Sequence, residues 1–268
     1  MVGEPTTENR QQTTGVNWVG LYTFVRSEII RTFRVVTQTL VTPWISALLF
    51  IFIFGSVVGQ RIDLIAGVPY INFVLPGILM MNIIASAFAA SSSALYFGRF
   101  VRSIEEMLVS PFSYLEMIVA FTVSAVVRAV IVGAGIYAIA ILFGAAGIEH
   151  LGLFLFYSIA VATIFALLGL LVGLWAKGFE QLNVLNTFVI MPLSFLGGMF
   201  YSIDMLPEKF QIVAHLNPFF YFIDGIRYSM IGVRESNEAV GYLMLFGLIL
   251  VLGALVHYLF KKGWRLRT

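Results

Sequence analysis

The stretch GRFVRSIEEMLVSP, from Gly98 to Pro111, is a short charged island between two long apolar runs. Val101, Ile104 and Leu108 recur at the i, i+3 and i+7 spacing that places side chains on one face of a helix. Pro111 ends this helix, because the residue before a proline is pushed out of the α region. The island is therefore expected to be a short helix lying on the membrane surface. The alternative is a solvated loop that only connects two apolar segments.

The charged residues of the island lie away from this apolar face. Arg102 precedes Glu105 and Glu106 by the i, i+3 and i, i+4 spacings at which opposite charges on a helix can pair. We therefore predict an amphipathic helix over Val101–Val109, with one apolar face and one charged face.

The composition indicates a membrane protein. The chain has 268 residues, of which 60% are hydrophobic and 11% charged, whereas soluble domains carry about 25% charged residues. It contains no cysteine, which excludes disulfides and thiolate metal sites. We expect a polytopic membrane protein with no sizeable soluble domain and no cleaved signal peptide. Residues 1–16 are mostly polar and predict a disordered cytoplasmic tail.

The segment from Asn17 to Leu40 has the pattern of an amphipathic helix. Arg31 and Arg34 project to one side. Eight apolar side chains project within about 60° of the opposite direction: Trp18, Leu21, Tyr22, Val25, Ile29, Phe33, Val36 and Leu40. Phe24 departs from this pattern. The segment predicts an interfacial helix in the headgroup plane, and a helix packed as in a soluble protein is the alternative.

Six apolar segments are long enough to cross a bilayer, which takes about 20 residues. The predicted fold is therefore all-α, with six transmembrane helices and both termini on one side of the membrane. The six segments lie near Leu40–Val58, Phe73–Phe97, Tyr114–Phe143, Leu151–Ala176, Leu182–Phe200 and Val240–Phe260.

The distribution of positive charge predicts the orientation. Of the 16 Lys and Arg residues, eleven fall in segments on the side of the N-terminus, four fall on the opposite side, and Arg128 lies inside a span. Lys and Arg are enriched in cytoplasmic connections. Both termini and the island at Val101–Val109 are therefore predicted to be cytoplasmic.

Two residues inside the predicted spans are candidates for a transport path. Pro76, followed by Gly77, is expected to kink the second span, either for packing or beside a conduit. Arg128 is the one charge well inside a span. Such a residue either extends its guanidinium to the interface or faces a polar conduit, and the sequence leaves both roles open.

The predicted outer segment from Met199 to Ala239 is not an ordinary loop. Pro207 suits the first turn of a helix, and Asn217-Pro218 interrupts the segment. Two short, aromatic-rich pieces with a central break predict a re-entrant helical hairpin half-inserted at the outer interface. Asp224 and Arg227 can neutralise each other within it at the i, i+3 spacing. The alternative is a soluble extracellular cap.

Several chemistries are not expected of this chain. No Gly-Lys dipeptide is present, so no P-loop is predicted. His150, His215 and His257 lie far apart, so neither a metal site nor a catalytic residue is predicted. We expect no cofactor bound by this chain and no nucleic-acid partner. Energy for transport would have to come from another protein.

Taken together, these motifs resemble the membrane subunit of an ABC-2-type transporter over residues 18–267. The motifs are Phe73-Val-Leu-Pro76-Gly77, the island ending Leu-Val-Ser-Pro111, Pro192-Leu-Ser-Phe-Leu-Gly197-Gly198, and the block containing Leu206-Pro207, Asn217-Pro218 and Asp224-Gly-Ile-Arg227. Residues 17–268 would form the ABC-2-type transmembrane domain. The resemblance is strongest to small permeases for export of drugs, antibiotics or polysaccharides.

The resemblance implies partners and roles. Two permease subunits, identical or related, would work in membrane lipid with two cytoplasmic ATPase subunits that bind ATP and Mg²⁺. The island would be the coupling helix, with Ile104 and Leu108 entering a groove of the ATPase and with Glu105 and Glu106 facing basic residues at its rim. The outer hairpin would be the paired re-entrant helices of the family.

The sequence therefore predicts an inner-membrane permease that exports an amphipathic substrate of the drug, lipid or polysaccharide class, and not an enzyme. Two alternatives are a membrane-embedded lipid-modifying enzyme and a passive channel. The first needs paired carboxylates or histidines on one face, and the second needs a polar ring along a span.

Overall fold

The structure is a computed structural model that describes residues 17–62, 64–109, 112–145 and 147–266. The predicted disordered tail at residues 1–16, and Pro111 at the end of the island, lie outside the described residues. The described chain is mostly helical, and its two short strands form a hairpin in which Leu64–Ile65 (β1) pairs antiparallel with Val68–Pro69 (β2).

Eleven α-helices form within the described residues, together with three π-helical turns. In chain order the helices are α1 Trp18–Arg34, α2 Thr42–Phe52, α3 Tyr70–Phe100, α4 Ser103–Val109, α5 Tyr114–Leu142, α6 Leu151–Trp175, α7 Phe179–Leu185, α8 Met191–Leu196, α9 Glu208–Leu216, α10 Pro218–Ile231 and α11 Glu238–Lys261. The π-helical turns are Thr37–Val41, Ile53–Val58 and Asn186–Ile190.

Five helical segments of the described chain are long and apolar enough to cross a membrane. They are Thr37–Gly55, Tyr70–Phe100, Tyr114–Leu142, Leu151–Trp175 and Glu238–Lys261. Each matches one of the predicted spans, so the prediction of a multi-pass helical protein is confirmed. The predicted count of six spans is not confirmed.

The predicted span at Leu182–Phe200 is not among the described segments that are long and apolar enough to cross a membrane. The chain there is helical from Phe179 to Leu196 through α7, a π-helical turn and α8. Its first half carries Gln181, Asn183 and Asn186, and these polar side chains reduce the apolar character that a span needs. The helix ends at Leu196 with Gly197 as its C-cap, and Gly198 follows in a left-handed conformation with φ 78°.

Helix α3 is the centre of the bundle and packs between α5 and α6. Small residues bring α6 against it. A Cβ on Gly169 would lie 2.5 Å from the carbonyl oxygen of Phe88, and one on Gly173 would lie 2.9 Å from that of Ser92. The small-residue pattern of α6 therefore serves packing within this chain.

Helix α1 lies beside the first half of α5. The Asn17 side chain caps α1 by accepting from the Gly20 amide, and the Asn17 amide donates to Glu116 Oε1 at 2.6 Å. Phe24, which departs from the predicted apolar stripe, is the residue that packs against Phe121, with ring centroids 4.8 Å apart. The helix ends at Arg34 instead of continuing to residue 40.

Candidate functional site

Helix α4 follows α3 after a sharp two-residue turn. Arg102 adopts a left-handed conformation with φ 60°, which is uncommon for a residue with a side chain. The Ser103 hydroxyl donates to the Gly98 carbonyl at 3.2 Å, and the Glu105 amide donates to the Arg102 carbonyl at 3.0 Å. The predicted helix at Val101–Val109 is thus present but begins at Ser103.

The apolar face of α4 points into the protein. Ile104 is only 1% exposed and belongs to a buried cluster with Leu95 and Met117, against which Leu108 also packs. Entry of Ile104 into a groove of a partner stays a prediction, and one that this structure does not favour, because this chain already encloses the Ile104 side chain. Amphipathic spacing identified the face correctly but not what covers it.

The exposed surface of α4 is formed by other residues. Val109 is 89% exposed, and Val101, Arg102 and Glu106 are also exposed. Among the described residues, no ion pair joins Arg102 to Glu105 or Glu106, because the left-handed turn places Arg102 outside the helix. A partner that docks here meets Val101 in the turn before α4, Val109 at the end of α4, and charged residues between them.

The end of α3 that leads into α4 is fixed to the end of α6. Arg99 is buried, and its Nη1 donates to the carbonyls of Gly173 and Leu174 at 2.7 and 3.0 Å, with Ala176 at 3.4 Å. The last carbonyls of a helix have no partner within the helix, so a guanidinium there caps α6. In the sequence, Arg99 contributes only to the count of positive charges that predicts the orientation, and nothing there indicates this contact.

Two further contacts strengthen the same junction. Arg265 Nη1, from the segment after α11, donates to the Trp175 carbonyl at 2.8 Å. The Phe179 ring lies 4.7 Å from that of Tyr96 and 5.7 Å from that of Phe100. The base of α4 is therefore held by α6, by the start of α7 and by the C-terminal segment.

The predicted outer hairpin contains a buried charged network at its second helix. Asp224 and Arg227 on α10 are both 0% exposed, and the distance from Arg227 Nη1 to Asp224 Oδ1 is 3.9 Å. The predicted pairing is therefore present as a loose contact. Each charge obtains its closest partners elsewhere, because burial of a charge demands hydrogen bonds.

Asp224 and Arg227 connect α10 to three other parts of the chain. The Asp224 carboxylate accepts from the Glu235 amide and from the amide and hydroxyl of Ser236, at 2.9, 2.9 and 2.6 Å. The Arg227 guanidinium donates to the carbonyls of Gly198 and Phe73 and lies 3.9 Å from the centre of the Phe73 ring. The network joins α10 to the segment before α11, to α3 and to the glycine turn.

The other predicted hairpin residues mark the ends of its helices. Asn217 separates α9 from α10; its Oδ1 accepts from the Phe219 amide at 3.1 Å and its Nδ2 donates to the Leu193 carbonyl at 2.7 Å. Pro218 begins α10, and Pro207 directly precedes α9. The predicted break is confirmed, while insertion of the hairpin into a membrane stays a prediction.

Pro76 lies inside α3 and is buried. The adjacent Gly77 faces the backbone of Met199, since a Cβ on it would lie 2.7 Å from the Met199 carbonyl oxygen. Pro76 therefore lies at a close helix-to-turn contact, which favours the packing interpretation over a role beside a conduit.

Arg128 faces α1. With Glu28 and Arg31 it lines a small pocket between α1, α3 and α5. Burial raises the pKa of the Glu28 carboxyl, and the positive charges of Arg31 and Arg128 partly offset that rise. This charged pocket is a contact that the sequence could not reveal, because its members come from separate helices.

Comparison with known proteins decides the family. The ABC-2 type transporter family matches residues 20–231 of this chain. The chain belongs to the ABC-2 type transporter family. The resemblance identified from the sequence motifs is thereby confirmed, and the chain is a multi-pass membrane transport permease.

Relatives of this ABC-2 permease cover most of its length. Inner membrane transport permease YadH of Escherichia coli (strain K12) is 35% identical over 251 residues, which is 94% of this chain and 98% of that protein. Nodulation protein J of Rhizobium leguminosarum bv. viciae is 27% identical over 242 residues, covering 87% of this chain and 90% of the relative. Nodulation protein J of Rhizobium meliloti (strain 1021) is 26% identical over 223 residues.

The two predicted sets of site residues lie at opposite ends of α3 in this ABC-2 permease. Arg99 anchors the base of α4, while Phe73 contacts Arg227 of the hairpin. Phe73 and Arg99 are separated by 26 positions, which correspond to about 39 Å of helix at 1.5 Å per residue. One continuous helix thus connects α4 to the hairpin. In the described part of the chain, no three His, Asp or Glu side chains form a metal-binding group.

Proposed function

We propose that this permease is the membrane-spanning subunit of an ATP-driven ABC exporter. It moves an amphipathic substrate of the drug, lipid or polysaccharide class outward, with ATP and Mg²⁺ bound by a separate cytoplasmic ATPase subunit. Membership of the ABC-2 type family supports this proposal. The E. coli relative is named an inner membrane transport permease, which supports placement in an inner membrane.

The observation that carries the proposal is the way α4 is built. Its exposed surface, with Val101, Arg102, Glu106 and Val109, belongs to no predicted span. Its buried face and the Arg99 contacts hold it to α3 and α6. A short exposed helix fixed to two spans is suited to receive a mechanical displacement and to pass it to the bundle.

The proposed topology has six spans, with Phe179–Leu196 as the shorter fifth crossing and with both termini in the cytoplasm. Helix α1 would lie at the inner interface. Trp18, Tyr22 and Phe33 on α1 are exposed, as an interfacial helix requires of its apolar side. A second permease subunit would complete the path, and the outer hairpins of the two copies would close it.

Purification of the tagged permease tests the proposed function. From its native membranes in mild detergent, the chain is expected to carry an ATPase subunit whose activity requires Mg²⁺. The reconstituted complex is expected to move an amphipathic reporter only when ATP is supplied on the α4 side. Recovery of the intact permease without any ATPase, or transport that is independent of ATP, would contradict the proposal.

Labelling of single cysteines tests the orientation. Glu106 and Lys209 are both exposed, and they lie on α4 and α9 respectively. The Lys209→Cys variant is expected to react with an impermeant maleimide in intact cells, and the Glu106→Cys variant only after permeabilisation. The reversed pattern would show that the positive-charge bias has assigned the sides incorrectly.

A further inference from the structure

The chain reverses direction directly after α11, over residues 263–266, which we call the C-terminal hook. Gly263 is left-handed with φ 67°, and its amide donates to the Phe260 carbonyl at 3.0 Å. The Trp264 amide donates to the Leu259 carbonyl at 3.1 Å. These two bonds form a Schellman motif, in which a left-handed glycine ends a helix and the following residue packs back on its last turn. The reversal is therefore a defined end of α11.

A second left-handed residue turns the hook towards the bundle. Arg265 has φ 53°, which is uncommon for a residue with a side chain and persists only where the surrounding structure holds it. Its Nη1 donates to the Trp175 carbonyl at 2.8 Å, and its guanidinium lies 4.8 Å from the centre of the Trp264 ring. The hook is thus fixed to the end of α6.

The hook ends at Leu266, inside the cluster that encloses α4. Leu266 is 2% exposed and belongs to the same buried cluster as Ile104 of α4, Leu95 of α3 and Met117 of α5. Trp264 is partly buried against this cluster. Helix α4 has seven residues, and helices this short depend on tertiary packing for their stability. The position of α4 therefore depends on how completely the cluster is filled.

We propose that the C-terminal hook is a positioning element for α4, with Leu266 as its positioning residue. Leu266 supplies apolar volume to the cluster behind α4, and Arg265 fixes the hook to the end of α6. A displacement of α4 is then passed to α6 and α11 as well as to α3. This role in transport rests on the proposed function, in which an ATPase displaces α4. The placing of α4 itself is measurable on the permease alone.

Distances between two spin labels test the placing of α4. The labels replace Glu106 on α4 and Lys177 after α6, which are both exposed. Leu266→Ala leaves a cavity that its neighbours refill only in part, so the distance distribution is expected to broaden by about twofold. Leu266→Met keeps most of the volume and is expected to restore the wild-type distribution. Leu250→Ala, on the exposed side of α11, is the matched control and is expected to match wild type.

Transport per ATP hydrolysed tests the consequence in the reconstituted complex. Leu266→Ala is expected to keep the ATPase bound, because Leu266 is not on the exposed surface of α4. The transport per ATP is expected to fall by about fivefold or more, a typical size for coupling between two sites. Arg265→Asn is a second variant, since asparagine tolerates the left-handed conformation but does not reach the Trp175 carbonyl. It is expected to change both measurements in the same direction.

The outcomes separate the hook from the proposed function. An unchanged distance distribution in Leu266→Ala would overturn the proposal. Lower thermal stability with unchanged transport per ATP would also overturn it, because Leu266 would then serve the fold alone. If Leu266→Ala is not recovered folded, Arg265→Asn decides by the same two measurements. Absence of any ATPase from the wild-type complex would contradict the proposed function, while the spin-label distances would still decide whether the hook places α4.

Discussion

Replacement of Val109 by aspartate is expected to separate the permease from the proposed ATPase subunit without unfolding the permease. Val109 is 89% exposed at the end of α4, so a charge there disturbs no core of this chain. Apolar anchors at the centre of protein interfaces contribute about 1–3 kcal/mol each. Copurification of the ATPase should therefore fall by about tenfold or more, and coupled transport should fall with it.

Two other substitutions make this result interpretable. Phe210→Asp introduces the same charge at an exposed apolar position on α9, and it should leave the ATPase bound. Ile104→Asp should instead prevent recovery of folded permease, because it places a carboxylate in an enclosed cluster. Glu106→Ala should have a small effect, as expected of a charge at an interface rim.

The Val109→Asp experiment has a clear contrary outcome. If that variant retains the ATPase and transports as wild type does, α4 is only a connection between two spans. A variant that is lost from the membrane would indicate that Val109 supports the fold. Size-exclusion profiles of the two aspartate variants at positions 104 and 109 distinguish these cases.

Removal of either buried charge from α10 is expected to destabilise the permease severely. Asp224→Ala leaves Arg227 without a countercharge and deprives the segment at Glu235 and Ser236 of its acceptor. Arg227→Ala deprives the Phe73 and Gly198 carbonyls of their donor. Breaking a buried charged contact costs about 3–5 kcal/mol. Thermal unfolding in detergent should show a large loss of stability for each single variant.

The double variant and matched controls test whether the two charges act together. Loss of both should cost less than the sum of the single losses, because neither charge is then left uncompensated. Arg227→Lys should not restore stability, since an ammonium lacks the planar group that reaches two carbonyls and stacks on Phe73. Asp204→Ala and Lys209→Ala, at exposed positions nearby, should be nearly neutral. Strictly additive losses would mean that the two residues act separately.

The sequence predicted helical elements well where local pattern decides them. Five spans, α4, the break at Asn217 and the helix from Trp18 all follow from apolar periodicity or from proline position. The Phe179–Leu196 segment was harder to predict as a span, because polar residues occupy its first half and α-helical and π-helical turns alternate within it. Hydropathy alone does not separate such a segment from a buried helix.

The site residues were predicted less completely, for a physical reason. Spacing shows which residues share a face, so Ile104 and Leu108 were grouped correctly, but it does not show whether that face is covered by the same chain. Val109 lies off the apolar stripe and has no sequence signal as a docking residue. The partners of Arg99 are some 75 residues away, and no local pattern predicts such a contact.

The two guanidinium groups at the end of α6 have a consequence for how the bundle responds to force. Arg99 and Arg265 place positive charge where the helix macrodipole is negative and occupy carbonyls that otherwise fray in water. The last turn of α6 is thereby stiffened from two directions. A force on α4 would have to break several of these hydrogen bonds to bend the junction between α3 and α6. Tilting of the two helices together would keep all of them. We therefore expect α3 and α6 to tilt together as one unit when α4 is displaced.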